Sequence, residues 1–210
     1  GCLLLSLLPA MLAAAERRPV AAGKAMEEDD TQVREWNAFA DNLYKFHLRQ
    51  LRGATVRETE RIGGYKDDPD FFREVIYTDA RSGRLLSRIE WERKRPDRIH
   101  VIEVFVYDSE GRLSRDYMAW FLPGFRNAPR LATINLYHYA VGLRGWRQFD
   151  ASGRRTYEKC TGDKQATLIE LAQDEIARAL SSSRGVMQEE TYRRCFGDLA
   201  TEADDYLTPN

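Results

Sequence analysis

Three sets of side chains carry residue types that could do chemistry. The first is a group of carboxylates, Glu90, Glu92 and Glu103, with His100 nearby in the chain. Two carboxyl groups flanking a bond can act as acid and base in glycoside hydrolysis. The competing reading is ordinary cross-strand pairing with Arg88 and Arg98. The second set is a block of arginines. Residues 81–155 hold 15 basic and 8 acidic side chains, between an acidic N-terminal part (11 and 14 over residues 16–80) and an acidic C-terminal part (6 and 11 over residues 156–210). The planar guanidinium fork suits carboxylate and phosphate. Arg84, Arg88, Arg112, Arg115, Arg147 and Arg154, interleaved with Trp91, Trp120 and Trp146, are therefore candidates for binding an anionic partner. The alternative is that these arginines pair with the chain's own acidic blocks. The third set is Cys160 and Cys195.

The N-terminus decides how the cysteines are read. Residues 3–12 are almost wholly apolar, and Ala13-Ala14-Ala15 follows before charge begins at Glu16. This pattern predicts a secretory signal peptide over residues 1–15, cleaved near Ala15. It is shorter than the about 20 apolar residues a spanning helix needs. Cys2 precedes the apolar run, so a lipid-anchor cysteine is not expected. The expected location is periplasmic or secreted. In an exported chain two remaining cysteines read as one disulfide, Cys160–Cys195. Two cysteines and the scattered His47, His100 and His138 do not make a zinc site by spacing. Asp67, Asp68 and Asp70 lack the calcium-loop pattern. Phosphate-loop, dinucleotide, nucleophile-elbow and zinc-protease motifs are absent from the sequence, so no cofactor is expected.

These side chains must be positioned by the following elements. Residues 16–30 read as a flexible leader. Residues 31–52 read as a helix with Thr31 as N-cap, Trp36, Phe39, Ala40, Leu43, Phe46 and Leu51 on one face, and Gly53 as the stop. Residues 55–62 alternate weakly, and residues 63–70 read as a loop. From Phe71 to Leu122 four segments rich in β-branched and aromatic residues predict an antiparallel meander. Residues 131–140 fit either a short helix or a strand, and the helix is preferred. Residues 144–149 and 154–159 form a further hairpin, and residues 164–182 and 186–198 two amphipathic helices. The fold class is thus α+β. It has an N-terminal helix, a meander sheet of about five to seven strands and two C-terminal helices, in one domain over residues 31–210. The order of elements is analogous to a cystatin-like or NTF2-like sheet wrapped on a helix.

One local pattern recurs. "YDSEGRL" (107–113), "FDASGRR" (149–155) and, one residue longer, "TDARSGRL" (78–85) each place Asp ahead of Gly-Arg between strands. Asp accepts backbone N–H groups at a turn, and Gly takes a positive φ. A type I turn closed by a left-handed Gly is a common hairpin connection. "YDSEGRL" resembles the Y-D-x-x-G-R-L core of bacterial YD (Rhs) repeats. "GLRGWRQFDASGR" (142–154) is similar to MORN-type hairpins. Both resemblances imply strings of β-hairpins and no particular activity. The functional expectation is an exported, non-enzymatic binding or accessory module of the bacterial envelope. Its Arg-rich sheet face would take an anionic envelope polymer or an acidic protein, with nucleic acid disfavoured after export. The alternative is an envelope-polymer hydrolase using the sheet carboxylates.

Overall fold

The computed structural model describes residues 30–122 and 128–210. The expected signal peptide, and the leader up to residue 29, lie outside the described residues. Helix α1 (Asp30–Gly53) is followed by nine strands: β1 (Val56–Tyr65), β2 (Asp68–Asp79), β3 (Leu85–Glu92), β4 (Ile99–Tyr107), β5 (Leu113–Trp120), β6 (Leu131–Ala140), β7 (Leu143–Asp150), β8 (Arg155–Thr161) and β9 (Thr167–Ala172). Two short helices close the chain, α2 (Gln173–Leu180) and α3 (Glu190–Phe196). Every strand pairs antiparallel with its sequence neighbours, so the sheet runs β1 to β9 in order. Among the described residues no helix is long and apolar enough to cross a membrane.

The sheet is larger than the sequence patterns predict, for three reasons. Residues 131–140 form strand β6 rather than a helix. Their apolar side chains alternate, Ala132, Ile134 and Leu136 entering the core, while Asn135 on the other face bonds across to both neighbouring strands. Residues 63–70 are not a loop: β1 and β2 run through them to a tight turn at Lys66-Asp67. Residues 164–182 are not one helix. Lys164 and Gln165 have positive φ (55° and 63°), which no helix tolerates, and the chain then pairs as β9 before α2 begins.

One face of the sheet holds the core. Ser87, Ile89, Ile102, Val104, Tyr117, Ala119, Ile134 and Phe149 pack against Trp36, Phe39, Leu43 and Phe46 of α1. Beside α1 on this face lies α3, through Tyr192, Cys195 and Phe196. Cys195 is disulfide-bonded to Cys160 on β8, with a Cα–Cα distance of 5.9 Å. The opposite face carries the alternate residues, Glu74, Glu90, Glu103, Asp116, Asn135 and Gln148, all of them buried.

The recurring Asp-to-Gly pattern is a single turning device. Asp108 Oδ1 accepts the N–H groups of Glu110 and Arg112 at 3.0 and 2.8 Å, and Gly111 N–H bonds Asp108 O at 3.0 Å. Asp150 does the same for Ser152 and Arg154, both at 3.0 Å, with Gly153 closing on Asp150 O. Gly111 and Gly153 take φ of 84° and 80°, where a Cβ would be strained. The three copies sit at different ends of the sheet. In a meander, turns alternate ends, so the β2–β3, β4–β5 and β6–β7 turns share one end and the β7–β8 turn lies at the other.

Candidate functional site

At the shared end, three tyrosines are locked by their hydroxyls. Tyr107 donates to Leu85 O at 2.9 Å, Tyr139 to Leu113 O at 3.0 Å, and Tyr137 to Asp116 Oδ2 at 2.8 Å. Each fixed ring carries a guanidinium. Arg84 Cζ lies 5.6 Å from the Tyr107 centroid, Arg112 4.9 Å from Tyr139, and Arg144 5.1 Å from Tyr137 and 5.9 Å from Tyr139. These arginines come from β3, β5 and β7 or the turns that lead into them. The result is a row that alternates arginine and tyrosine across the sheet. Cation–π contact of this kind is worth about 0.5–1 kcal/mol at exposed sites. It holds the guanidinium in place over the ring. Arg112 also bonds Asp108 and Glu110, at 2.8 and 2.9 Å. Arg84 and Arg144 make no ion pair among the described residues.

The remaining sequence candidates lie elsewhere. Arg88 is clamped between Glu103 (2.7 Å) and Glu74 (3.3 Å). Arg115 bonds the Asn210 carbonyl at 2.9 Å and lies over Tyr206. Arg147 is only 2% exposed and bonds the buried Glu158 at 2.5 Å. Arg154 is exposed at the opposite end, 3.4 Å from Asp150. The structure therefore gathers Arg84 and Arg112, adds Arg144, and disperses the other four. Sequence reasoning missed the tyrosines as a set, although Tyr107 opens the "YDSEGRL" motif. Their alignment depends on β6 being a strand.

The carboxylates form a second cluster. Strand register sets Glu74 of β2 directly opposite Glu90 of β3, and Arg88 opposite Glu103 of β4. Arg61 on the edge strand β1 reaches Glu74. His100 is buried among Tyr65, Phe71, Phe72 and Trp120, bonds the Tyr65 hydroxyl, and lies 3.9 Å from Glu90. Burial pushes Glu90 up from 4.5 to about 7. Arg88 opposes the rise, and Glu74 and Glu103 reinforce it. Burial pulls His47 down from 6.5 to about 4, where it meets Ser87 Oγ at 2.7 Å. His100 is also held below its ordinary value by burial. Among the described residues no three His, Cys, Asp or Glu side chains gather to hold a metal ion.

Opposite signs follow for stability. A carboxyl raised in the folded state stabilises below its unfolded value and loses that contribution as pH rises through about 7. A lowered imidazole stabilises above 6.5 and loses that contribution as pH falls through about 4. Between about pH 4.5 and 6.5 Glu90 and His47 offset each other. Glu90→Gln removes one side. The stability of the variant relative to the parent should rise by about 3 kcal/mol from pH 4 to pH 8. Urea unfolding across that range measures it, and parallel profiles would contradict the assignment of Glu90.

A third feature is a cleft of about 470 Å³ between α1 and the end of the β3–β4 hairpin. Glu92 is among its lining residues, and alternation along β3 sets the Glu92 side chain on the same sheet face as Glu90. No known protein family, characterised protein or solved structure matches the chain.

Proposed function

We propose that the chain is an exported, non-enzymatic binding module of the bacterial envelope that takes an anionic polymer along the arginine–tyrosine row. Export is supported by the apolar run and Ala13–Ala15, and by a disulfide suited to an oxidising compartment. The observation that carries the binding reading is the stacking of Arg84, Arg112 and Arg144 on rings fixed by hydroxyl hydrogen bonds. Pre-set side chains lose little freedom on binding. Arg84 and Arg144 carry the charge outward, since Arg112 already shares its fork with Asp108 and Glu110. Acidic proteins present the same carboxylate chemistry and fit the same row. Arg88, Arg115, Arg147 and Arg154 act in the fold in this reading.

Binding to an immobilised acidic polysaccharide should weaken as salt rises. The Arg84→Ala/Arg144→Ala double variant should bind about tenfold more weakly at low salt. Equal binding by parent and variant would overturn the proposal. The second reading is hydrolysis of an envelope polymer with Glu90 as the acid. It is favoured by a carboxyl held near 7 beside two further carboxylates. It requires turnover that Glu90→Gln abolishes while the fold persists.

A further inference from the structure

Cys195 of α3 is anchored to the sheet by three neighbouring strands. Register sets His138 of β6 opposite Gly145 of β7, and Gly145 opposite Cys160 of β8, so the three form one cross-strand row. Cys160 takes the Cys195 sulfur in the disulfide. Gly145 leaves room for the Cys195 carbonyl, which a Cβ there would overlap. His138 meets the same carbonyl with its ring, Nδ1 lying 3.2 Å from Cys195 O. That carbonyl belongs to the last turn of α3, where helix carbonyls lack partners inside the helix. The N–H four residues on, that of Leu199, bonds Phe196 O at 3.0 Å instead.

The other ring nitrogen of His138, Nε2, lies 3.1 Å from Asp198 Oδ2. Both partners are acceptors, the carbonyl always and the carboxylate when ionised. A neutral imidazole has one N–H, so either tautomer serves one acceptor and turns a lone pair on the other. Only the imidazolium donates to both, and its bond to the carboxylate is then charge-assisted. The remaining charged groups around the ring are engaged elsewhere. Arg194 of α3 reaches Val141 O at 3.4 Å. On β7 the facing residue is a glycine, and Arg147 further along is held by Glu158 and Tyr192. On β8 the row continues to Cys160, which does not titrate in the disulfide.

We propose that His138 is a pH-sensitive clasp on α3. As the imidazolium it ties the Cys195 carbonyl and Asp198 at once; as the neutral ring it lets one of them go. The contribution of the clasp is present while the ring is charged. It is lost as pH rises through the range in which imidazole gives up its proton, about pH 5 to 8. The end of α3 therefore docks more firmly in acid and opens more often in mild alkali. The clasp does not depend on the arginine–tyrosine row, and either can hold without the other.

The test is amide hydrogen exchange of the full, disulfide-bonded chain at pH 5 and pH 8, each rate divided by the intrinsic rate at that pH. Amides from Arg193 to Leu199 should be about two- to fivefold better protected at pH 5, the range expected of a solvent-exposed ion pair. Asp198→Asn should abolish that difference, because an amide side chain accepts from the charged ring and donates to the neutral one. The Asp198 side chain is 84% exposed, so this variant keeps the fold. His138→Gln should abolish the difference too, and Asp198→Asn decides alone if that variant does not fold. Equal protection at the two pH values, better protection at pH 8, or a pH difference that survives in Asp198→Asn would each overturn the proposal.

Discussion

Replacing Arg147 with alanine should lower stability by about 3–5 kcal/mol, the usual cost of breaking a buried ion pair by removing one partner. Arg147 Nε donates to Glu158 Oε1 at 2.5 Å, and Nη1 donates to the carbonyls of Leu199 and Ala200 at 2.9 and 2.8 Å. Nη2 reaches the Tyr192 hydroxyl at 3.1 Å, and that hydroxyl donates to Glu158 Oε2 at 2.8 Å. One guanidinium thus ties β7 to β8, to α3 and to the chain beyond it. Its loss strands a carboxylate that is 0% exposed, leaving Arg155, 3.5 Å away, as the countercharge and Tyr192 as a neutral donor. Burial and the charge of Glu158 push the Tyr192 hydroxyl up to about 12, so it keeps its proton and stays a neutral donor to Glu158 that supplies no countercharge. The Arg147→Met/Glu158→Met double variant should recover part of the loss, because the stranded carboxylate is gone and Arg155 keeps its bond to the Thr201 carbonyl. Urea unfolding of both variants checks this. A loss below about 1 kcal/mol in Arg147→Ala would contradict the buried-pair account.

The second large effect is expected at the disulfide. Cys160 and Cys195 are both 0% exposed and stand 35 residues apart. Closing a loop of that length restricts the unfolded chain by about 4 kcal/mol in the chain-entropy model. The Cys160→Ala/Cys195→Ala variant should lose about that much stability, and α3 should become the first part to exchange its amide hydrogens. The contacts around the bridge make α3 depend on it. Gly145 lets the Cys195 carbonyl approach β7 so closely that any Cβ there would overlap it. An unfolding midpoint unchanged by the double substitution would contradict the prediction.

What the sequence disclosed, and what it withheld, follows from the range of each interaction. The α1 stripe, the Asp–Gly turns and the Cys160–Cys195 pair depend on spacing or on composition, and they were legible. The strand over 131–140 was not, because its ten residues include Leu and Ala that suit either state. What decides it is Asn135 meeting Asp116, Trp146 and Gln148 from neighbouring strands. The β9 strand hid inside an apparent helical stripe, and left-handed Lys164 and Gln165 broke that stripe. The same limit applies to the sites. Glu90 and Glu103 were visible as carboxylates, but Glu74 became their neighbour only through the β2–β3 register. The arginine block was visible as charge. Which arginines stack outward and which lie buried is decided by turn alternation and by cross-strand partners.

The proposal that an anionic partner is held by the arginine–tyrosine row is tested most directly by NMR of arginine Nε–H resonances during titration with an acidic polysaccharide. The account predicts shifts at Arg84, Arg112 and Arg144 that reverse with added salt, with Arg88 and Arg147 unmoved. Shifts centred on Arg154 at the opposite end of the sheet, or none at low salt, would contradict it.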